Sequence, residues 1–221
     1  MTFQETYVSV DVEADGPIPG RNSMLSLGAA AFDPNRENAG ERYIPISTFE
    51  INLSPLPEAK PDPDTAAWWV SHPEAYAYAT KNPYQPEVGI PKFCEWLDNL
   101  PSRPVFVGYP AGFDFTFVHW YNVAFGISGD PFGFSCVDIK SYAAATLGVP
   151  YMKAVKRRMP KHWFKLPAYA KAVGATVPRH THKALDDAIG QGVLFLNILR
   201  DIGRMEEVQK ASMTFKPLDK P

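Results

Sequence analysis

With 221 residues, 45% of them hydrophobic and 21% charged, the chain has the composition of an ordinary soluble globular protein and enough length for one large domain with a real core. Its formal charge of −2 excludes a partner held by an overall basic balance, so any nucleic acid must be engaged locally. Cys94 and Cys136 are too few for a disulfide framework, and no run approaches the roughly 18 apolar residues of a membrane span. The start, "MTFQETYVSV", lacks the basic residues and long apolar stretch of a secretory signal, so a cytoplasmic protein with no membrane association is expected.

The first element, "YVSVDVEADGP" from Tyr7 to Pro17, reads as a valine-rich strand. Alternation puts Val8, Val10 and Val12 on one face and Ser9, Asp11 and Glu13 on the other, so two carboxylates stand side by side. Such neighbours repel and raise each other's pKa unless a cation lies between them or water solvates them; an isolated D-x-E most often stands on a solvated face. After the loop "GPIPGRNS", "MLSLGAAAFD" (Met24 to Asp33) resumes as a strand, and a third runs through "ERYIPISTFEINL", interrupted by Pro45. Linkers this short allow only an antiparallel meander.

A proline-dominated connector from Ser54 to Asp64 leads to "TAAWWVSHPEAYAYAT", one or two short helices broken at Pro73. "QPEVGIPKFCEWLDNL" carries Val88, Phe93, Trp96, Leu97 and Leu100 at helical spacing. "RPVFVGYP" is a short apolar strand, Phe113 to Phe125 a helix, and "FGFSCVDI" a further short strand. Helices follow around Ser141 to Leu147 and Leu166 to Val173, and a long one runs from about Lys183 to Arg204. A meander followed by alternating strands and helices is an α/β domain with a mixed sheet.

Further acids and imidazoles fall at element ends. Asp114 opens a helix after a buried strand, where it is either a helix N-cap or a ligand-site residue at the rim of an open sheet. In "HTHKALDDAIGQGVLFLNIL", Asp187 shares a stripe with Ala184, Leu194 and Ile198, whereas Asp186 lies nearer Gly190, Asn197 and Arg200. An inward carboxylate is costly unless paired or metal-bound, which singles out Asp187; the alternative is a first-turn acid favoured by the helix dipole. His182 precedes this helix and, beside a metal-site acid, becomes a candidate general base.

Taken in order, D-x-E in the first strand, F-D at a strand-to-helix junction and H-x-A-x-x-D opening the last helix resemble the DnaQ-like 3′–5′ exonucleases of the DEDDh type, over Tyr7 to about Leu199. The resemblance implies a ribonuclease H-like α/β fold: a five-stranded mixed sheet, with an antiparallel meander of three strands and then parallel strands, flanked by helices. It implies a single exonuclease domain over residues 1–210 and a C-terminal tail over 211–221. Carried over residue by residue, Asp11, Glu13, Asp114 and Asp187 hold two divalent ions, Mg²⁺ or Mn²⁺, and His182 is the base. The implied reaction removes nucleoside 5′-monophosphates from the 3′ end of a single-stranded RNA or DNA. Several relatives pair as homodimers, which leaves that state open. "DVEADGPIPGRNSML" most resembles a bacterial and phage-related branch. Ala14 stands where the family often has threonine, and Tyr109 and Pro110 where it often has polar residues.

Phosphodiester hydrolysis explains this set, because two cations roughly 3.5–4 Å apart grip both attacking and leaving oxygens, and Mg²⁺ takes oxygen ligands. For the substrate, "KAVKRRMPKHWFK" (Lys153 to Lys165) offers Lys156, Arg157 and Arg158 for phosphates and Trp163 for a base, or else is a solvated loop anchored by its aromatics. Met24 and Leu25 are the family-style wedge against the terminal base, and Trp68 and Trp69 either stack bases or pack in the core. Other readings are a ribonuclease H-like endonuclease, which does not need this histidine spacing, and a non-catalytic nucleic-acid-binding module that kept the fold.

Overall fold

The computed structural model describes residues 5–203 except 128. The expected tail over 211–221, and the domain's last residues with Arg204, lie outside the described residues.

Five strands form one sheet in the order β3-β2-β1-β4-β5. Strands β1 (Glu5–Ala14), β2 (Met24–Phe32) and β3 (Ser47–Asn52) make the antiparallel meander, and β4 (Arg103–Gly108) and β5 (Val137–Asp138) continue it in parallel on the other side of β1. This is the mixed five-stranded sheet expected. The third strand is shorter than its sequence suggested, because Glu41–Tyr43 winds into a 3₁₀ turn and pairing starts only at Ser47, past Pro45. The "FGFSCVDI" strand likewise shrinks to two residues.

The helices follow their local signals. Asp62 caps α1 (Pro63–Val70) by accepting from the Asp64 and Thr65 amides, and Pro73 begins α2 (Pro73–Ala79) at the first-turn position where its missing N–H costs nothing. Helix α3 spans Pro86–Asp98, yet Val88, expected on its apolar stripe, is 50% exposed; Gly89 and Ile90 face inward instead. Helix α4 runs Ala111–Phe125, and α5 (Ile139–Leu147) is capped by Asp138 through the Ser141 amide at 2.6 Å. After three 3₁₀ turns between Tyr151 and Phe164 come α6 (Ala168–Ala172) and α7 (Ala184–Asp201).

Two cores sandwich the sheet. Val8, Val10 and Val12 pack with Phe93, Phe117 and Tyr121 of α3 and α4, while Tyr7 on the opposite face packs with Phe195 and Leu194 of α7. Helix α7 is buried on almost every side from Gln191 to Leu199. Asn197, assigned by periodicity to the outer stripe beside Asp186, is therefore 0% exposed; it bonds the Tyr43 hydroxyl and the Trp163 and Lys165 carbonyls. A helix enclosed by a sheet and a returning loop has no polar face left for a period to reveal. Among the described residues, no helix is long and apolar enough to cross a membrane.

Candidate active site

The face of β1 opposite its valines carries Ser9, Asp11 and Glu13 toward the first turns of α7. Gly28 lies directly across the ladder from Asp11. A Cβ at that glycine would stand 2.1 Å from the Leu185 backbone nitrogen and 2.2 Å from the Ala184 carbonyl carbon. The missing side chain is what lets the start of α7 lie against the sheet beside Asp11. One turn into the helix, Asp187 then reaches the strand. Asp11, Glu13 and Asp187 each offer an oxygen within 4.8 Å of the other two.

Asp114 enters from the other side of β1. Helix α4 already begins at Ala111, so Asp114 is not an N-cap; its Oδ1 accepts the Val12 N–H at 3.0 Å, and the side chain is 5% exposed. Its charge acts on both β1 acids. Burial, followed by the charges of Asp114, Glu13 and Asp187, holds Asp11 well above the usual carboxylate range. Glu13 is pushed up to about 8 by burial and by Asp187 and Asp114, and Asp114 to about 7, chiefly by burial. Four recessed acids with too little positive charge between them fit a hard divalent cation, whose oxygen preference and double charge answer both features. Among the described residues, Lys156 is the cation whose charge lowers the Asp11 and Asp114 values.

The imidazoles stand on the rim. His182 lies just before α7 with a φ of +55°, a left-handed conformation that is uncommon outside glycine. Burial, then the neighbouring His180, lowers its pKa, so the ring is neutral and able to accept a proton at neutral pH. His180 Nδ1 is 2.7 Å from Asp187 Oδ1. On the other side of His182, the rings of Trp68 and His72 lie 5.0 and 5.1 Å away, and these two stack on each other at 4.0 Å. Asp186 is half-buried and accepts from Thr181 Oγ1 at 2.9 Å.

A cleft of about 420 Å³ opens onto Asp11, Asp187, His180, Lys156, Tyr109 and Phe164. Lys156, from the basic segment, reaches this cleft, where its ammonium lies 5.2 Å from the Tyr109 ring. Arg157 and Arg158 are exposed on the same 3₁₀ turn but do not line it. Trp163 is corrected from base platform to core residue: it is 2% exposed and its indole N–H is spent on Asp201 Oδ2 at 2.6 Å. Phe164 is the aromatic of that segment that faces the cleft. Met24 and Leu25 are likewise corrected, since at 0% and 2% exposure both are core side chains with no surface to wedge against a base. Of the tryptophan pair, Trp69 packs in the core with its N–H on the Ala14 carbonyl, while Trp68 remains 36% exposed.

Sequence reasoning missed Gln191 and His72 in this neighbourhood, and read Trp68 only as a base-stacking or core residue. Gln191, one turn beyond Asp187, donates to Asp11 Oδ1 at 2.6 Å, and its own Oε1 is buried without a partner among the described residues. The helical offset of four from Asp187 was the available signal. His72 carries no local signal, and nothing local ties Trp68 to His182, because only the folding-over of α1 and α2 brings the two there.

No family model matches the chain. It is 35% identical over 144 residues to the 3′-5′ DNA exonuclease Cap18 of Escherichia coli, a match covering 63% of this chain and 68% of that protein. Its fold superposes on the nuclease domain of 3′hExo, a DEDDh family member bound to rAMP, with a TM-score of 0.63 and 11% identity over 92% of this chain and 96% of that one. It also superposes on the zinc-bound form of the E. coli ExoI–ssDNA complex, with a TM-score of 0.60 and 15% identity over 92% of this chain and 42% of that one. The identity to Cap18, on a ribonuclease H-like fold shared with these nucleases, shows that the chain belongs to the DnaQ-like 3′–5′ exonucleases of the DEDDh type and is a hydrolytic enzyme.

Proposed function

We propose that the enzyme removes nucleoside 5′-monophosphates one at a time from the 3′ end of single-stranded DNA, with Asp11, Glu13, Asp114 and Asp187 holding two divalent ions, Mg²⁺ or Mn²⁺, and His182 acting as general base. The observation that carries this reading is the convergence of Asp11, Glu13 and Asp187 within 4.8 Å, with His182 on the rim. When bound, such ions supply the Lewis acidity that stabilises charge on the attacking and leaving oxygens. DNA ranks ahead of RNA because the relative at 35% identity is a DNA exonuclease.

The chain's own groups then have distinct tasks. His182, neutral through burial and the neighbouring His180, takes the proton from the water that attacks the terminal phosphodiester. Trp68 and His72 flank that ring and limit its rotation. Gln191 holds one oxygen of Asp11 by its amide N–H, which fixes the carboxylate's rotation. Lys156 supplies positive charge for the phosphates of the incoming strand, and Phe164 an aromatic edge at the mouth of the cleft. Arg157 and Arg158, exposed next to Lys156, extend the same cationic turn.

The test is a panel of end-labelled single- and double-stranded DNA and RNA oligomers digested with Mg²⁺, Mn²⁺ or EDTA. Stepwise shortening of single-stranded DNA from its 3′ end, abolished by EDTA, is the expected result. Internal cleavage, or shortening that survives chelation, would overturn the reading.

A further inference from the structure

Beside the carboxylates lies a second group of ligand-type atoms with a different character. His180, His182 and Asp187 each offer one atom within 4.8 Å of the other two. The two imidazole rings are 4.4 Å apart at 64°, and His180 Nδ1 already touches Asp187 Oδ1 at 2.7 Å. The Asp187 side chain is 5% exposed and that of His180 is 60% exposed, so the group is anchored on one side and open to solvent on the other.

Two nitrogens and one oxygen make a poor site for Mg²⁺, which takes oxygen ligands, but they are a set that zinc accepts with a solvent molecule in the fourth position. With zinc–ligand bonds of about 2.0–2.2 Å, the atoms of a tetrahedral site stand about 3.3–3.6 Å apart. The present spacings, 2.7 Å between His180 Nδ1 and Asp187 Oδ1 and within 4.8 Å across the group, lie on either side of that value. Zinc also binds a nitrogen-containing site far more tightly than magnesium does.

We propose that His180, His182 and Asp187 form a zinc-binding site whose occupation stops hydrolysis. The bound ion takes the lone pair that His182 needs to accept a proton and one oxygen of Asp187, so turnover ends even with Mg²⁺ in excess. The inhibitory half of this inference rests on His182 as the base; the binding half does not.

The experiment has two arms on the purified full chain, comparing wild type with His180→Ala and His180→Gln. In the first, Zn²⁺ is titrated into digestion of a labelled single-stranded oligodeoxynucleotide under excess Mg²⁺, each protein normalised to its own zinc-free rate. Both substitutions are expected to raise the half-inhibitory zinc concentration at least about tenfold, the low end of what loss of a metal-site contact costs. In the second, Co²⁺ replaces Zn²⁺ under excess Mg²⁺, and its visible absorption reports tetrahedral nitrogen ligation without requiring activity. A band in wild type that both variants lack supports the site. Equal zinc sensitivity in all three proteins, or equal bands, would put the ion among the carboxylates and overturn it. A His180-dependent band with undiminished hydrolysis would overturn the inhibition and count against His182 as base. Absence of Mg²⁺-dependent digestion would strike the exonuclease reading, leaving the cobalt band to decide the site.

Discussion

The acids of the cleft and its imidazoles stand on different supports. Asp11 and Glu13 project from the central strand of the sheet, and Asp114 and Asp187 from the first turns of two helices packed on either side of it. His180 and His182 sit on an irregular segment before α7, one exposed and the other in a left-handed conformation. Three carboxyl groups converging within 4.8 Å, with Asp114 near enough to raise two of them, need a frame that does not yield, because any relaxation would let them separate. The proposed proton acceptor, His182, needs only to stay within reach of water, and the rings of Trp68 and His72 lie beside it as a lighter restraint.

Substitutions can break this contrast. Asp187→Asn should abolish detectable hydrolysis, because the residue serves both the carboxylate group and the rim, whereas Asp186→Asn should be mild; steady-state rates on a labelled oligomer rank the two, and the reverse order would mean that the wrong acid faces the strand. His182→Ala is expected to lower the rate by roughly 10²–10⁴-fold, the usual contribution of a general base, while metal binding measured by calorimetry survives. Near-normal turnover in that variant would remove the histidine from the chemistry.

Smaller effects sharpen the comparison from the side of the frame. Gln191→Leu keeps the volume but removes the amide that holds Asp11, and should weaken Mn²⁺ affinity or activity by roughly 10–100-fold. An unchanged metal affinity and rate would reduce Gln191 to a packing role. Gly28→Ala presses a methyl group into the Ala184–Leu185 backbone and should cost about 1–3 kcal/mol in chemical denaturation, with lowered activity as α7 is pushed off the sheet. A neutral result would show that the helix start can shift without disturbing Asp187.

Much of this frame was legible in the sequence. A strand's two-residue period put Asp11 beside Glu13, and a helix's 3.6-residue period separated Asp187 from Asp186, since both are backbone properties that composition cannot disguise. Periodicity failed where burial surrounds an element, as at Asn197; at Trp163 the basic neighbours left open a base platform or an anchoring aromatic, and the buried ring, its indole N–H on a partially buried carboxylate, is the anchor. Met24 and Leu25 were misplaced because a family role was carried onto residues that this sheet and its helices enclose. The meeting of His72 and Trp68 with His182 was invisible for a further reason: it spans more than a hundred residues and depends on how two short helices dock.

The claim that the four acids hold a divalent cation is most directly tested by the thermal midpoint of the metal-free protein at about pH 5 and about pH 8, with and without Mn²⁺. Glu13 and Asp114, raised to about 8 and about 7 in the folded chain, keep protons that the unfolded chain has already released, so stability present at low pH is lost as pH rises through that window. The metal-free midpoint should therefore fall toward pH 8, and Mn²⁺ should raise it there by more than at pH 5, an effect that Asp11→Asn removes. A midpoint indifferent to Mn²⁺ at both pH values, or an equal gain in the Asp11 variant, would contradict the claim.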